Sequence, residues 1–144
     1  MRKKVLIAED DYAISLAIKT IVSSSCDCEL TIVKDGEAAW QAAQTHMPDL
    51  IISDWNMPLM TGEELLKNIR SDEQLGDTPF LMLSARSDKD SVLDAIDAGV
   101  TDYMHKPFDR KTLIMKVTGL LGVQAQDPMV ELFDLPEDEN LQES

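Results

Sequence analysis

Short apolar runs alternate with helix-period segments five times along this chain, and few folds accommodate that alternation. Val5-Leu6-Ile7-Ala8 is the first run. Ile14, Ala17, Ile18, Ile21 and Val22 then recur at the spacing of one helix face. Glu29-Leu30-Thr31-Ile32 alternates polar and apolar residues, as a half-exposed strand does, and Asp35-Gly36 punctuates it before an Ala-rich helix through Trp40. The run at 49–54 is continuous and apolar up to its end. Thr61-x-x-Glu64 is a capping box opening a helix with Leu65, Leu66 and Ile69 on one face. Phe80-Leu81-Met82-Leu83-Ser84 is the next run, and Ser87-x-x-Asp90 reads as the start of a helix bearing Val92, Leu93 and Ile96, stopped by Gly99. Residues 101–105 form a short mixed strand. Asp109 caps a last helix with Leu113, Val117, Leu120 and Leu121, closed by Gly122.

Strands alternating with helices imply a doubly wound α/β fold, a parallel sheet with helices on both faces. Strands buried on both faces read as unbroken apolar runs. The first, third and fourth do so, whereas the second and fifth carry polar residues and belong at the edges. That pattern fits the order 2-1-3-4-5, the established order of flavodoxin-like five-stranded sheets.

The 144 residues suit one domain with a core of its own, expected over 1–122. No run approaches the roughly 18 apolar residues of a membrane span, and the apolar stretch behind Met1-Arg2-Lys3-Lys4 is too short for a signal peptide. A cytoplasmic protein without membrane association is expected. Cys26 and Cys28 lack the further ligands of a zinc site and are expected to be two free thiols near a turn. The net charge is −14, and the seven acids after Lys116 (Asp127, Glu131, Asp134, Glu137, Asp138, Glu139 and Glu143) account for −7 of it, leaving −7 for the rest. An acidic body with a more acidic tail argues against nucleic acid as a partner, since phosphate needs cations.

In an open parallel sheet, ligands bind outside the carboxyl ends of the strands. The first strand ends on Glu9-Asp10-Asp11, the third on Asp54, the fourth on Ser84-Ala85 and the fifth on His105-Lys106-Pro107. Topology therefore gathers several carboxylates, a hydroxyl and an ammonium at one edge. Two like charges ~4 Å apart cost roughly 4 kcal/mol at an effective dielectric near 20, so a cation or protons must relieve them. A hard divalent ion with oxygen ligands, Mg²⁺, suits such a cage when it also keeps waters and a phosphate. Ser84 adds a hydroxyl and Lys106 a point charge for phosphate. The edge reads as a place where a phosphorylated Asp54 is tolerated.

These residues resemble the receiver domain of two-component response regulators, closest in site residues to chemotaxis-type single receivers. The resemblance rests on Glu9-Asp10, Asp54-Trp55-Asn56-Met57-Pro58, Ser84-Ala85 and Lys106-Pro107-Phe108, and runs from about residue 3 to 121. It implies that Asp54 is the phosphoacceptor for a sensor histidine kinase or a histidine phosphotransfer protein. It implies that Asp10, Asp54 and the Asn56 backbone carbonyl bind Mg²⁺ directly and Glu9 through water. It assigns Ser84 and Lys106 to the phosphoryl oxygens, Tyr103 to an aromatic switch, and Asn56 and Arg86 to positions that influence phosphate lifetime. It further implies a cis Lys106–Pro107 bond and a readout face of helix four, strand five and helix five toward a downstream protein. Whether phosphorylation drives a homodimer is left open.

Beyond turnover of its own phosphoaspartate, no enzymatic activity is expected. A Mg²⁺-dependent aspartyl phosphatase would share the acidic edge but carries D-x-D after its nucleophile strand, where this chain has Asn56. A flavodoxin-like electron carrier would need a Ser/Thr/Gly-rich loop after the first strand, and a nucleotide enzyme a Gly-rich phosphate loop; neither occurs. A phosphorylation-independent interaction module remains the alternative. Trp40 is expected to pack on the sheet and Trp55 to be exposed beside the metal; His46 and His105 are given no role. Residues 123–144 form an acidic tail or linker, with Met129, Val130, Leu132, Phe133 and Leu135 as an apolar cluster between two prolines. They are read as disordered or as a short helix docking on the protein's own output face or on a partner.

Overall fold

Each apolar run becomes a strand and each helix-period segment a helix, in the order β1 (Lys3–Ala8), α1 (Tyr12–Ser25), β2 (Cys28–Val33), α2 (Gly36–His46), β3 (Leu50–Asp54), α3 (Gly62–Ser71), β4 (Phe80–Ser84), α4 (Lys89–Ala98), β5 (Asp102–His105) and α5 (Arg110–Leu121). The computed structural model describes residues 2–85 and 88–124. The expected features of the 125–144 segment lie outside the described residues, as do Arg86 and Ser87.

All strand pairs are parallel and the order is β2-β1-β3-β4-β5. Burial follows the strand chemistry. β3 and β4 are buried at every position, while β2 is mostly half-exposed and β5 ends on an exposed His105. Alternate side chains of each strand point to opposite faces, which divides the core in two. Val5, Ile7, Leu50, Ile52, Leu81 and Leu83 meet α1 and α5 through Ile18, Val22, Leu113 and Val117. Leu6, Ala8, Ile51, Phe80 and Met82 meet α2, α3 and α4 through Ala39, Ala43, Leu65, Leu66, Ile69 and Ala95. Trp40 packs against this second layer, as its place in the Ala-rich helix suggests.

Each described helix begins on a side-chain cap: Asp11, Asp35, Thr61, Asp88 and Asp109 accept from the first-turn amides. Thr61 and Glu64 form the reciprocal capping box. The start of α4 differs from expectation. Asp88 is the cap, its carboxylate accepting from both the amide and the hydroxyl of Ser91 at 3.0 Å. A carboxylate with two acceptor oxygens satisfies both donors at once. α4 also lies on the sheet by its small residues, burying Ser91 and Ala95, and leaves Leu93 and Ile96 44% and 56% exposed. It ends on Gly99 at φ 97°, a left-handed cap that suits glycine.

The two cysteines are not free thiols. Cys26 closes α1 and Cys28 opens β2, and the reversal at Asp27 turns both side chains into the α1–α5 core layer, where they are joined by a disulfide across a Cα–Cα distance of 5.6 Å.

Candidate functional site

The parallel register brings the polar strand ends to one edge. Asp54, the last residue of β3, lies opposite Leu83, and Ser84, the last of β4, lies opposite His105. Glu9 and Asp10 follow β1 directly, and Lys106 follows β5. Backbone bonds pin these ends: Trp55 N–H donates to Leu83 O at 3.0 Å, Lys106 N–H to Ser84 O at 2.8 Å, and Glu9 N–H to Val33 O at 3.0 Å.

The side chains converge on Asp54. Lys106 Nζ donates to Asp54 Oδ1 at 3.0 Å and to Glu9 Oε1 at 2.8 Å. The Trp55 amide donates to Asp54 Oδ1 at 2.9 Å. Glu9 Oε2 accepts from the Asp11 amide at 3.2 Å. Glu9, Asp54 and Ser84 are buried, and Asp10 is exposed at the mouth. One carboxylate oxygen from each of Glu9, Asp10 and Asp54 lies within 4.8 Å of the others, so these three could hold a metal ion.

The charges are poised. Burial raises the Glu9 pKa above the ordinary carboxylate value and the Asp54 charge adds to it, with the Lys106 and Asp11 bonds only partly offsetting the rise. For Lys106, burial works against the ammonium, but the bonds to Glu9 and Asp54 outweigh it and its pKa is raised. The ammonium therefore stays charged between two carboxylates that repel each other.

Other expected site residues fall around this cluster. Asn56 is exposed immediately beyond Asp54. Tyr103, on β5, is half-buried, and the Lys106–Pro107 bond is cis, as the resemblance implies. His46 and His105 are exposed. Trp55 departs from expectation. It is buried, 4% exposed, because the chain after β3 folds inward and the Tyr103 ring meets it edge to face at 6.4 Å.

One positioning residue went unnoticed in the sequence. Gly62 starts α3, its amide donating to Trp55 O at 2.7 Å, and a Cβ there would overlap the Asp54 carbonyl oxygen. Close approach of α3 to the Asp54 backbone needs a residue without a side chain. The available signal was a glycine directly after the Thr61 cap, where ordinary helix formers would serve.

No helix among the described residues is long and apolar enough to cross a membrane. Residues 5–118 match the family described as response regulator receiver domain. The chain is 34% identical to the chemotaxis protein CheY of Pseudomonas aeruginosa over 114 residues, covering 79% of this chain and 92% of that protein. The solved structure of the chemotaxis response regulator CheY4 of Vibrio cholerae superposes with a TM-score of 0.78 at 32% identity, covering 83% of this chain and 99% of that one. The Mn²⁺-bound form of response regulator Rcp1 superposes with a TM-score of 0.70 at 30% identity, covering 82% and 91%. With its sheet order, its acidic edge and these likenesses, the chain belongs to the response regulator receiver domain family, the chemotaxis-like single receivers of two-component signalling.

Proposed function

We propose that the domain over residues 1–122 is a phosphoacceptor whose nucleophile is Asp54. The observation that carries this reading is the Lys106 ammonium held between Asp54 and Glu9, with Asp10 within reach of both carboxylates. A carboxylate so placed is fixed in direction. One Asp54 oxygen attacks the phosphorus of a phosphohistidine on a sensor histidine kinase or a histidine phosphotransfer protein. The P–N bond breaks, and the imidazole leaves with the bond's electron pair. Catalysis of this step is positioning plus stabilisation of charge on the phosphoryl oxygens. Lys106 supplies one such charge, and Ser84, at the adjacent strand end, supplies a hydroxyl donor.

The donor set fits Mg²⁺, since every side chain in it offers oxygen. Asp10, Asp54 and the Asn56 carbonyl would hold the ion directly, with Glu9 acting through water. Bound there, Mg²⁺ would offset the negative charge that gathers when a phosphate meets three carboxylates. The Mn²⁺-bound form of the related regulator Rcp1 supports a divalent ion in a fold of this kind.

The signal leaves through α4, β5 and α5. Leu93, Ile96 and Met115 are exposed apolar residues on these elements, and Tyr103 of β5 meets the ring of Trp55, the residue after Asp54. The protein would act as a cytoplasmic switch rather than a turnover enzyme, with Asn56 and Arg86 tuning the lifetime of its phosphate. Incubation with acetyl phosphate tests the reading. Intact mass should rise by one phosphoryl group with Mg²⁺ and not with a chelator. An unchanged mass with Mg²⁺ bound would instead mark a receiver fold used without phosphorylation.

A further inference from the structure

α1 and the turn leading into α5 enclose an open groove of about 490 Å³. It is lined by Ala13, Ile14, Ala17 and Ile21 of α1 and by Lys106, Pro107 and Phe108 of the turn. Ala13, Ala17 and Pro107 are exposed. An apolar groove of this size open to water marks an interaction surface.

The charge around it is unlike the rest of the molecule. α1 carries Lys19 and α5 carries Arg110 and Lys111, Lys116 being turned to Asp102 of β5 at 2.9 Å, and neither helix contains an acid, in a chain of net charge −14. The acids of these two helices are confined to their caps, Asp11 and Asp109, while Lys106 in the groove wall is paired with Glu9 and Asp54. The groove therefore suits an occupant that is both apolar and acidic.

The chain itself contains one. α5 ends at Leu121, Val123 packs against the α1–α5 core layer, and residues 125–144 follow. That segment has no cation and seven acids, and Met129, Val130, Leu132, Phe133 and Leu135 are spaced among them. Reach is sufficient. α5, with 12 residues, is about 18 Å long. The five residues from Gln124 to Met129 span up to ~17 Å extended, so the apolar cluster can return along the groove.

We propose that residues 125–144 dock in the groove between α1 and the α5 turn, with the apolar cluster against Ile14, Ala17, Ile21 and Phe108 and the acids facing Lys19, Arg110 and Lys111. The docked tail covers the turn that carries Lys106, on the side of the molecule away from α4. This inference does not depend on phosphoryl transfer.

Amide spectra of the ¹⁵N-labelled full chain test it, comparing wild type with Phe133→Ser in the tail and Ala17→Glu in the groove. Ala17 is exposed on α1, so the substitution leaves the core alone while placing an acid where the tail would lie. In the wild type, heteronuclear NOEs across 129–135 should be those of ordered backbone. They should fall toward zero in both variants and on raising salt to about 0.5 M, where screening is stronger than at physiological strength. Phe133→Ser should shift the amides of Ile14, Ala17, Ile21 and Phe108. Near-zero NOEs in the wild type would overturn the proposal. So would shifts confined to Leu93, Ile96 and Met115, which would place the tail on the other face. Shifts that vanish on dilution would also overturn it, since they would put the tail in the groove of a second copy. Should Ala17→Glu fail to fold, the Phe133→Ser comparison decides alone.

Discussion

The Trp55 and Tyr103 rings meet edge to face, their centroids 6.4 Å apart and their planes at 70°. Trp55 also donates its backbone N–H to Asp54 Oδ1, so the indole sits one bond network away from the carboxylate and one ring contact away from β5. The aromatic pair therefore joins the residue beside Asp54 to β5. The chain has two tryptophans, and only Trp55 has this position. Trp40→Phe should keep a saturable change of emission on Mg²⁺ titration, and Trp55→Phe should lose it. A response that survives in Trp55→Phe would contradict the placement.

Lys106 bonds Glu9 and Asp54, two of the three carboxylates that could hold a metal ion. Lys106→Met leaves Glu9 and Asp54 facing each other with no cation between them, so Mg²⁺ should bind several-fold more tightly. Phosphorylation should nonetheless slow by about 10²-fold or more, the usual cost of losing a preorganised charge partner. Calorimetry of Mg²⁺ binding beside the rate of mass gain separates the two effects. Weaker binding with an unchanged rate would contradict this account of Lys106.

Gly62 and Gly119 make a paired test. A methyl group at Gly62 meets the Asp54 carbonyl, so Gly62→Ala should destabilise by about 1–3 kcal/mol, as overpacking does, and should slow phosphorylation by displacing Asp54. Gly119 lies in α5 with nothing within 4 Å of an added Cβ. Gly119→Ala should stabilise by roughly 0.5–1 kcal/mol through helix propensity alone and leave phosphorylation unchanged. Chemical denaturation of both variants measures this.

Asp109 caps α5, its carboxylate accepting from the Thr112 hydroxyl at 2.7 Å and the Thr112 amide at 3.0 Å. These bonds hold its pKa below the ordinary carboxylate value. A depressed pKa means that the stabilisation is present above the unfolded value and is lost as pH falls through the folded one. Asp109→Asn keeps one acceptor oxygen and removes the titration. Wild type should be the more stable at neutral pH, and the difference should shrink in denaturation curves taken below the ordinary carboxylate range. A difference that grows on acidification would contradict the cap's role.

Much of this fold was legible because burial and sequence share a period. β3 and β4 read as unbroken apolar runs since both their faces are covered, and β2 and β5 declared themselves edges by their polar residues. The acidic edge was legible because parallel topology puts every strand's last residue at the same end. What stayed hidden depends on contacts distant in sequence. Trp55 looked exposed because it follows the strand's last residue, yet it packs into the core layer with Tyr103 against its ring. Cys26 and Cys28 looked like free thiols because spacing alone does not say that both turn inward at Asp27. α4 carried Leu93 and Ile96 on an apparent core face, yet it rests on Ser91 and Ala95. Small residues let that helix lie close to the sheet, a preference that hydrophobic periodicity does not register.

The central claim is that Asp54 carries the phosphoryl group, and the most direct measurement locates it chemically. The protein is phosphorylated with acetyl phosphate and Mg²⁺, then reduced with borohydride, which converts an aspartyl phosphate to homoserine. Peptide mass spectrometry should find homoserine at position 54 and at no other aspartate. Homoserine elsewhere, or none at all after a verified gain in mass, would contradict the account.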